Sequence, residues 1–159
     1  MRHRALLLLC LAAMPLLTHC AGDDVAKIVP SDQVTTSTRD AAAAARLISE
    51  YRASRGLGPV SADSRLNAAA EHQARAVAEA GKLSHGAFAS RMDAYSIAGA
   101  AAENLTAGSG DVEGAIGRWK RSAAHDRNLL MKDARRIGLA RADSPGHGYR
   151  SYWALVLAQ

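Results

Sequence analysis

The amino-acid sequence predicts an α+β fold in which helices pack on a small sheet. In the first three quarters of the chain, apolar residues recur at helical spacing in three segments. Near the C-terminus, two runs rich in aromatic and β-branched residues flank a turn-forming stretch, which is typical of a hairpin. Helices that precede a terminal hairpin favour an α+β or layered αβα architecture, and 159 residues suffice for one domain.

Residues 1–20 are interpreted as a signal peptide. Two arginines give the segment a basic start, and residues 6–17 are all apolar apart from Pro15. This apolar run is too short for a permanent membrane-spanning helix, and it has no polar face for a helix at a protein surface. The sequence therefore predicts an exported protein.

The end of this segment, LLTHC, resembles the lipobox of bacterial lipoproteins, in which the cysteine is lipidated and becomes the new N-terminus. Leu17 and Cys20 match that pattern. His19 departs from it, because a small residue is usual there and signal peptidase needs small residues near its cut. Two outcomes stay open. In the first, Cys20 carries a lipid, and the protein is a lipoprotein of the periplasm or outer membrane. In the second, the chain is cut after Ala21 and secreted.

Cysteine usage and charge narrow the function classes. Both cysteines, Cys10 and Cys20, lie in the signal segment, so the exported domain has neither a disulfide framework nor a thiolate site. Without the two N-terminal arginines the chain carries 18 basic and 15 acidic residues, a net charge of +3. A mildly basic, solvated surface accounts for that balance, and no nucleic-acid partner is predicted.

A domain is predicted over residues 40–159, after a polar and flexible tether over residues 21–39. Residues 82–110 are rich in glycine and lack periodicity, so they are predicted as loop with short pieces of structure. In chain order the predicted elements are a helix over 40–55 capped by Ser37 or Thr38 and stopped by Gly56, a helix over 64–80 stopped by Gly81, a helix from Asp111, and strands over 136–143 and 149–158.

Each predicted helix has one apolar face, which indicates the core. The face of the second helix is rich in alanine, so a close approach to another element is expected there. The residues predicted to face the core are Ala44, Leu47, Ile48 and Tyr51, then Leu66, Ala69, Ala70, Gln73, Ala74 and Val77, and then Val112, Ala115, Ile116 and Trp119.

Histidine and glutamate supply the candidate chemistry of the exported domain. His72, at the edge of an apolar face, is interpreted as a boundary residue, and His147, in the turn SPGHG, as a solvated one. His85 lies in the loosest region of the chain, and His125 lies where a new helix is expected to begin. Glu103 follows an uncharged, alanine-rich run, so its carboxylate needs polar partners.

Two interpretations of His85, Glu103 and His125 stay open. They could bind zinc, with water completing the coordination shell, or they could form a buried polar cluster. Their separations of 18 and 22 residues match no local metal-ligand pattern. A Ser122–His125 nucleophile pair is a further alternative, for which neither an orienting acid nor an oxyanion hole is recognisable.

Six segments follow one another along the chain in a recognisable order. They are YRASRGLGPVSAD, LNAAAEHQARAVAEAGKLSH, AAENLTAG, AIGRWKRSAAHDRNLL, RRIGLA and YWALVLA. In this order they resemble a bacterial domain of the CAP superfamily, and the resemblance covers residues 40–158. The superfamily groups cysteine-rich secretory proteins, antigen 5 and pathogenesis-related 1 proteins, and its domain is also called the SCP domain.

The resemblance implies a three-layer αβα sandwich with a small, mainly antiparallel sheet, and a cleft lined by two histidines and two acidic residues. His85 and His125 match the two histidines, and Glu103 matches the glutamate of the GEN motif, although alanine replaces its glycine. Ser122 stands at or near the second acidic position, so one acidic residue is missing. The loss removes a negative charge that would hold a cation or orient an imidazole.

Three functions are compatible with that resemblance. The favoured hypothesis is a non-catalytic binding module of the bacterial cell envelope, whose cleft takes a metal ion at His85 and His125, a small lipid or a cell-wall ligand. The second is a zinc-assisted hydrolase in which Glu103 activates water. The third is a structural or protein-interaction module. Family membership alone gives the place of the site and not a reaction.

Overall fold

The computed structural model describes Pro30, residues 33–146 and residues 148–159. Within these residues the chain forms helices and strands that alternate irregularly. The elements are β1 (Thr35–Ser37), α1 (Ala41–Ala53), β2 (Ser61–Ala62), α2 (Ser64–Ala80), α3 (Phe88–Ala94), β3 (Ala101–Ala107), α4 (Val112–Arg121), α5 (Ala123–Leu129), β4 (Arg136–Asp143) and β5 (Ser151–Ala158).

The sheet has the strand order β1-β4-β5-β3, and β2 is added beside β4. Neighbours along this path are antiparallel, whereas β2 runs parallel to β4. The predicted terminal hairpin is confirmed, because β4 and β5 pair from Arg136 opposite Ala158 to Asp143 opposite Ser151. The mainly antiparallel sheet implied by the resemblance is confirmed as well.

Alternation along β5 divides the core into two layers, one on each face of the sheet. Tyr152 and Val156 pack into a cluster with the buried face of α2. Trp153 and Leu155 point the other way, into a cluster built from α1 and α4. Because both faces of the sheet are covered by helices, the predicted three-layer αβα sandwich is confirmed.

The second predicted helix is confirmed with its bounds. The Asp63 side chain caps α2 by accepting hydrogen bonds from the backbone N–H groups of Arg65 and Leu66 at 2.9 and 3.0 Å. Gly81 ends the helix in the left-handed conformation. All six residues predicted for its inner face are buried, and the alanines among them let α2 lie close against β4 and β5.

The first predicted helix is confirmed with a different start. Ser37 and Thr38 were expected to cap it, and that expectation is wrong. Ser37 belongs to β1, so Asp40 takes the cap position without a side-chain hydrogen bond, and the Thr38 carbonyl accepts from the N–H of Ala41 at 3.0 Å. Gly56 lies in the turn that ends the helix, as predicted, with a φ of 73°.

Arg52 joins the end of α1 to the segment that follows α5. Its side chain is fully buried and donates to the backbone carbonyls of Leu129 and Met131 at 2.9 Å and of Ala134 at 3.2 Å. Its Nε donates to the Gly58 carbonyl at 2.8 Å. These bonds satisfy the Leu129 carbonyl at the C-terminal end of α5 and hold the segment from Leu129 to Ala134 in place.

Two segments differ from the prediction. Residues 33–39, assigned to the tether, contain β1 and the buried Val34, so the folded part begins before residue 40. Residues 82–110, predicted as mostly loop, contain α3 and the seven-residue strand β3. Alanine favours strands poorly and β3 is alanine-rich, so its pairing with β5 decides its conformation.

Several predictions fall on residues outside those that the structure describes. They are the signal peptide over 1–20, lipidation of Cys20, most of the tether, and the solvated position of His147. Among the described residues, no helix is both long enough and apolar enough to cross a membrane.

Candidate functional site

A cleft runs beside β3, between the loop over residues 82–87 and α5. Two adjoining cavities form it. The first, of about 220 Å³, is lined by Leu83, Ser84, His85, Leu105 and His125. The second, of about 410 Å³, shares Leu83, Leu105 and His125 with the first and continues along α4. The fold thus brings His85 and His125, which are 40 residues apart, to one cavity.

Glu103 orients the His85 ring. The Nδ1 atom of His85 lies 2.8 Å from Oε1 of Glu103. Because a carboxylate only accepts, the neutral ring carries its proton on Nδ1 and presents a lone pair at Nε2. The His85 side chain is 57% exposed while that of Glu103 is 2% exposed, so a buried group fixes an accessible one.

Arg91 from α3 holds the other oxygen of Glu103. The guanidinium donates to Oε2 of Glu103, and the two side chains are 6% and 2% exposed. Arg91 also donates to the backbone carbonyl of His85 at 3.4 Å. A buried ion pair loses much of its Coulomb energy to desolvation, so its clear effect here is to fix the carboxylate and, through it, His85.

Gln73 attaches the histidine-bearing loop to the core. Its buried amide, on the inner face of α2, donates to the backbone carbonyl of Ser84. His85 is therefore held on two sides, by its ring at Glu103 and by the chain just before it. A side chain held in this way loses little conformational entropy when it binds a ligand.

A pair of asparagines holds the turn of α5 that carries His125. The buried Asn104 donates to the backbone carbonyl of His125 at 3.0 Å. Asn128 donates to Oδ1 of Asn104 at 2.9 Å and to the Glu103 carbonyl at 3.2 Å. Two neighbouring residues of β3 thus position the two histidines. Glu103 bonds to the ring of His85, and Asn104 bonds to the backbone carbonyl of His125.

Burial lowers the pKa of His125 below its ordinary value of 6.5, and the nearby His85 lowers this pKa further. The unfolded chain therefore binds a proton at a higher pH than the folded one. We expect the contribution of His125 to stability to be present above pH 6.5 and to be lost as pH falls from there through the folded pKa.

An NMR titration of the imidazole Cε1–H signals, together with urea unfolding between about pH 7 and 5, checks this expectation. Replacing His125 by Gln should flatten part of the pH dependence of stability. A measured His125 pKa at or above 6.5 contradicts the expectation.

Ser122 lies at the junction of α4 and α5 and lines the second cavity together with His125. Its side chain makes no capping bond to α5, and among the described residues no hydrogen bond joins it to His125. Within residues 33–146 and 148–159, no acidic residue lines this cavity to orient His125 as a base. A nucleophile pair at Ser122 and His125 therefore gains no support from the geometry.

Zinc at this cleft would have two imidazoles as protein ligands. Both carboxylate oxygens of Glu103 are engaged, one by His85 and one by Arg91. Among the described residues, no group of three or more His, Cys, Asp or Glu side chains is arranged to hold a metal ion. Structural zinc takes four protein ligands and catalytic zinc three, so the described residues do not fit a resident zinc ion, and Glu103 is not placed to activate water.

The sequence did not indicate the role of three residues that shape the site. Gln73 was assigned to the core without a role, and Arg91 and Asn128 were not singled out. An arginine inside the otherwise apolar pattern of Phe88, Met92 and Ile97 was the available signal for Arg91. Asn128 carried no signal, because its partners come from a strand that the sequence did not reveal.

The chain matches the family model described as the cysteine-rich secretory protein family, abbreviated CAP, over residues 45–157. It therefore belongs to this family. The resemblance found in the six segments is confirmed. No match was found among curated proteins.

Solved structures of bacterial proteins share the fold. An outer surface protein from Borrelia burgdorferi has a TM-score of 0.67 and 20% identity, over 76% of this chain and 92% of that one. An extracellular protein with an SCP domain from Bacillus anthracis has a TM-score of 0.64 and 19% identity, over 74% and 39%. A cysteine-rich secretory protein from Staphylococcus aureus has a TM-score of 0.59 and 22% identity, over 76% and 38%. The chain thus spans under two fifths of the latter two proteins.

Proposed function

We propose that this protein is an exported, non-catalytic binding module whose ligand lies in the cleft between His85 and His125. One observation carries the proposal. The buried ion pair of Glu103 and Arg91 orients His85, an exposed side chain that lines the same cavity as His125. Buried charge of this kind stabilises a fold weakly, whereas a fixed imidazole beside a cavity suits ligand binding.

The lining of the cleft fits a small organic ligand. Leu83 is 44% exposed, and with Leu105 it gives the cavity an apolar side. The two imidazoles stand as polar groups beside it. A few polar groups in a largely apolar cavity are typical of sites for small molecules, which the polar groups orient.

Export rests on two lines of support. The first is the pattern of residues 1–20, with its basic start and short apolar run. The second is that similar folds occur in proteins described as an outer surface protein and an extracellular protein. We propose a place in the cell envelope, by a lipid on Cys20, or release from the cell after a cut beyond Ala21. Mass spectrometry of the mature N-terminus separates these two forms.

The proposal is tested by titrating the purified protein with three probes and following backbone amide shifts by NMR. The probes are Zn²⁺ alone, decanoate as a small lipid, and muramyl dipeptide as a cell-wall fragment. We expect at least one probe to bind saturably, with shifts confined to residues 82–87, β3, α4 and α5. Replacing His85 or His125 by Ala should weaken that binding about tenfold, since each removes a contact fixed in the unbound protein.

His72 provides a matched control. It is an exposed histidine on α2 whose ring contacts Tyr95, and it lines neither cavity of the cleft. His72→Ala should leave the affinity unchanged. If no probe shifts residues of the cleft, or if all three histidine variants weaken binding alike, the proposed function is wrong.

A further inference from the structure

The second cavity of the cleft carries positive charge. Arg118 and Arg121 line it together with Ser122, Thr106 and His125. The two arginines are three residues apart on α4, so they lie on the same side of that helix. No acidic residue of the described part of the chain lines either cavity.

Both guanidinium groups lack a protein partner among the described residues. No hydrogen bond or ion pair joins Arg118 or Arg121 to another described residue. Other arginines of the chain are engaged, such as Arg91 with Glu103, Arg136 with Asp63 and Arg141 with Asp143. The two neighbouring guanidinium groups are therefore available to bind a ligand that enters the cavity.

Glu103, the carboxylate that orients His85, does not neutralise this positive charge. It is buried, and its two oxygens bond to Arg91 and His85. Ser122 contributes a hydroxyl at the same wall, and this hydroxyl makes no bond within the described residues. Arginine forks and hydroxyls together are the groups that bind carboxylates and phosphates.

We propose that Arg118, Arg121 and Ser122 form an anion subsite that binds the carboxylate or phosphate group of the ligand. This inference rests on the proposed function, since the rest of the ligand lies in the cavity between His85 and His125. The guanidinium groups extend from α4, which is fixed in the core by the fully buried Trp119. A rigid support places the charges without a large ordering cost on binding.

The subsite selects a class of ligand. A small molecule that joins an anionic head to an apolar body fits both cavities, with the head at α4 and the body along Leu83 and Leu105. Binding should weaken as salt is added, because part of the affinity comes from charge at a solvent-accessible site. The positive lining also disfavours a divalent cation, in agreement with the poor donor set for zinc.

The test compares probes that differ in their head group. Decanoate, decyl phosphate and the uncharged decanol are titrated by NMR and calorimetry, with acetate and inorganic phosphate as heads without a body. Decanoate or decyl phosphate should bind about tenfold or more tightly than decanol, and the tighter of the two identifies carboxylate or phosphate as the preferred head.

Two variants locate the effect. Arg118→Gln/Arg121→Gln should bring the affinity for the anionic probe down to that for decanol and should remove its salt dependence. Ser122→Glu places a carboxylate at the wall of the cavity and should weaken anion binding by a similar factor. Decanol should bind both variants as it binds the parent protein.

A double variant with the same loss of charge is the control. Arg46→Gln/Arg65→Gln removes two exposed arginines from α1 and α2, and anion binding should be unchanged. If the anionic probes bind no better than decanol, or if the control weakens them as much as the α4 variant does, the anion subsite is wrong while cleft binding stands. Failure of every probe to shift the cleft contradicts the proposed function as well.

Discussion

Gly138→Ala is expected to prevent this protein from folding. Gly138 lies in β4 directly under the start of α2. A Cβ atom at this position would stand 2.0 Å from the backbone carbon of Leu66, 2.1 Å from its carbonyl oxygen and 2.3 Å from the nitrogen of Asn67. These atoms belong to a helix backbone, so no side-chain rotation relieves the clash.

The effect should be large because α2 is the helix most closely packed on the sheet. To admit one methyl group, α2 would have to move off β4 and lose the close contact that its alanines provide. We expect a loss of at least about 4 kcal/mol in the free energy of unfolding, or no folded protein at all. Urea unfolding followed by circular dichroism measures it.

Gly110→Ala is the matched control. The same methyl group there would have no atom within 4 Å, and the backbone needs no left-handed conformation. Its stability should change by no more than about 0.5 kcal/mol. Equal effects of the two substitutions would show that the close approach of α2 to β4 does not exist.

Arg91→Met is expected to have the second largest effect, because it leaves the Glu103 carboxylate buried without its cation. The side chains are 6% and 2% exposed, so water cannot replace the lost partner. Breaking a buried pair on one side costs about 3–5 kcal/mol, since the remaining charge is uncompensated. Methionine keeps most of the length of the arginine side chain, so the loss measures charge more than volume.

Removing both charges should restore much of that loss. In Arg91→Met/Glu103→Gln neither member of this buried pair carries a charge, and the amide can still bond to His85. We expect the double variant to be more stable than Arg91→Met alone, which a double-mutant cycle in urea measures. Because an amide can accept from Nδ1 of His85 or donate to it, the tautomer of the ring is no longer fixed, and ligand binding should weaken while the fold persists.

An exposed pair of the same kind is the control. Arg46 and Glu50 on α1 form an ion pair at 2.8 Å, with both side chains 61% exposed. Arg46→Met should cost no more than about 0.5 kcal/mol, because water and salt screen such a pair. A cost for Arg91→Met within this range would contradict the shielding of Glu103.

The helices α1, α2 and α4 and the hairpin could be predicted because their signals are local. The bounds of α2 follow from the cap at Asp63, the glycine at position 81 and an apolar face that has helical spacing. The strand β3 could not be predicted, because its alanines carry no strand signal and its partner, β5, lies about fifty residues further along the chain. The same holds for β1, which is three residues long and depends on β4.

The candidate site was predictable in part. His85, Glu103 and His125 were named from motifs in a fixed order, and the fold brings the two histidines to one cavity. Their supports were not predictable, since Arg91, Gln73 and Asn128 act through contacts between elements. The sequence left open whether Glu103 is a zinc ligand. In the structure each of its carboxylate oxygens already bonds to a side chain, one to His85 and one to Arg91.

The sequence by itself determined the family, three of the helices (α1, α2 and α4), the hairpin and the residues that could carry chemistry, because each follows from local spacing or from the order of motifs. Only the tertiary structure decided how those residues are used. Both oxygens of Glu103 bond to side chains of the protein, whereas Arg118 and Arg121 line the cleft and have no partner among the described residues. Which charges are satisfied depends on distances between elements remote in the chain, and the charge that remains for a ligand is positive.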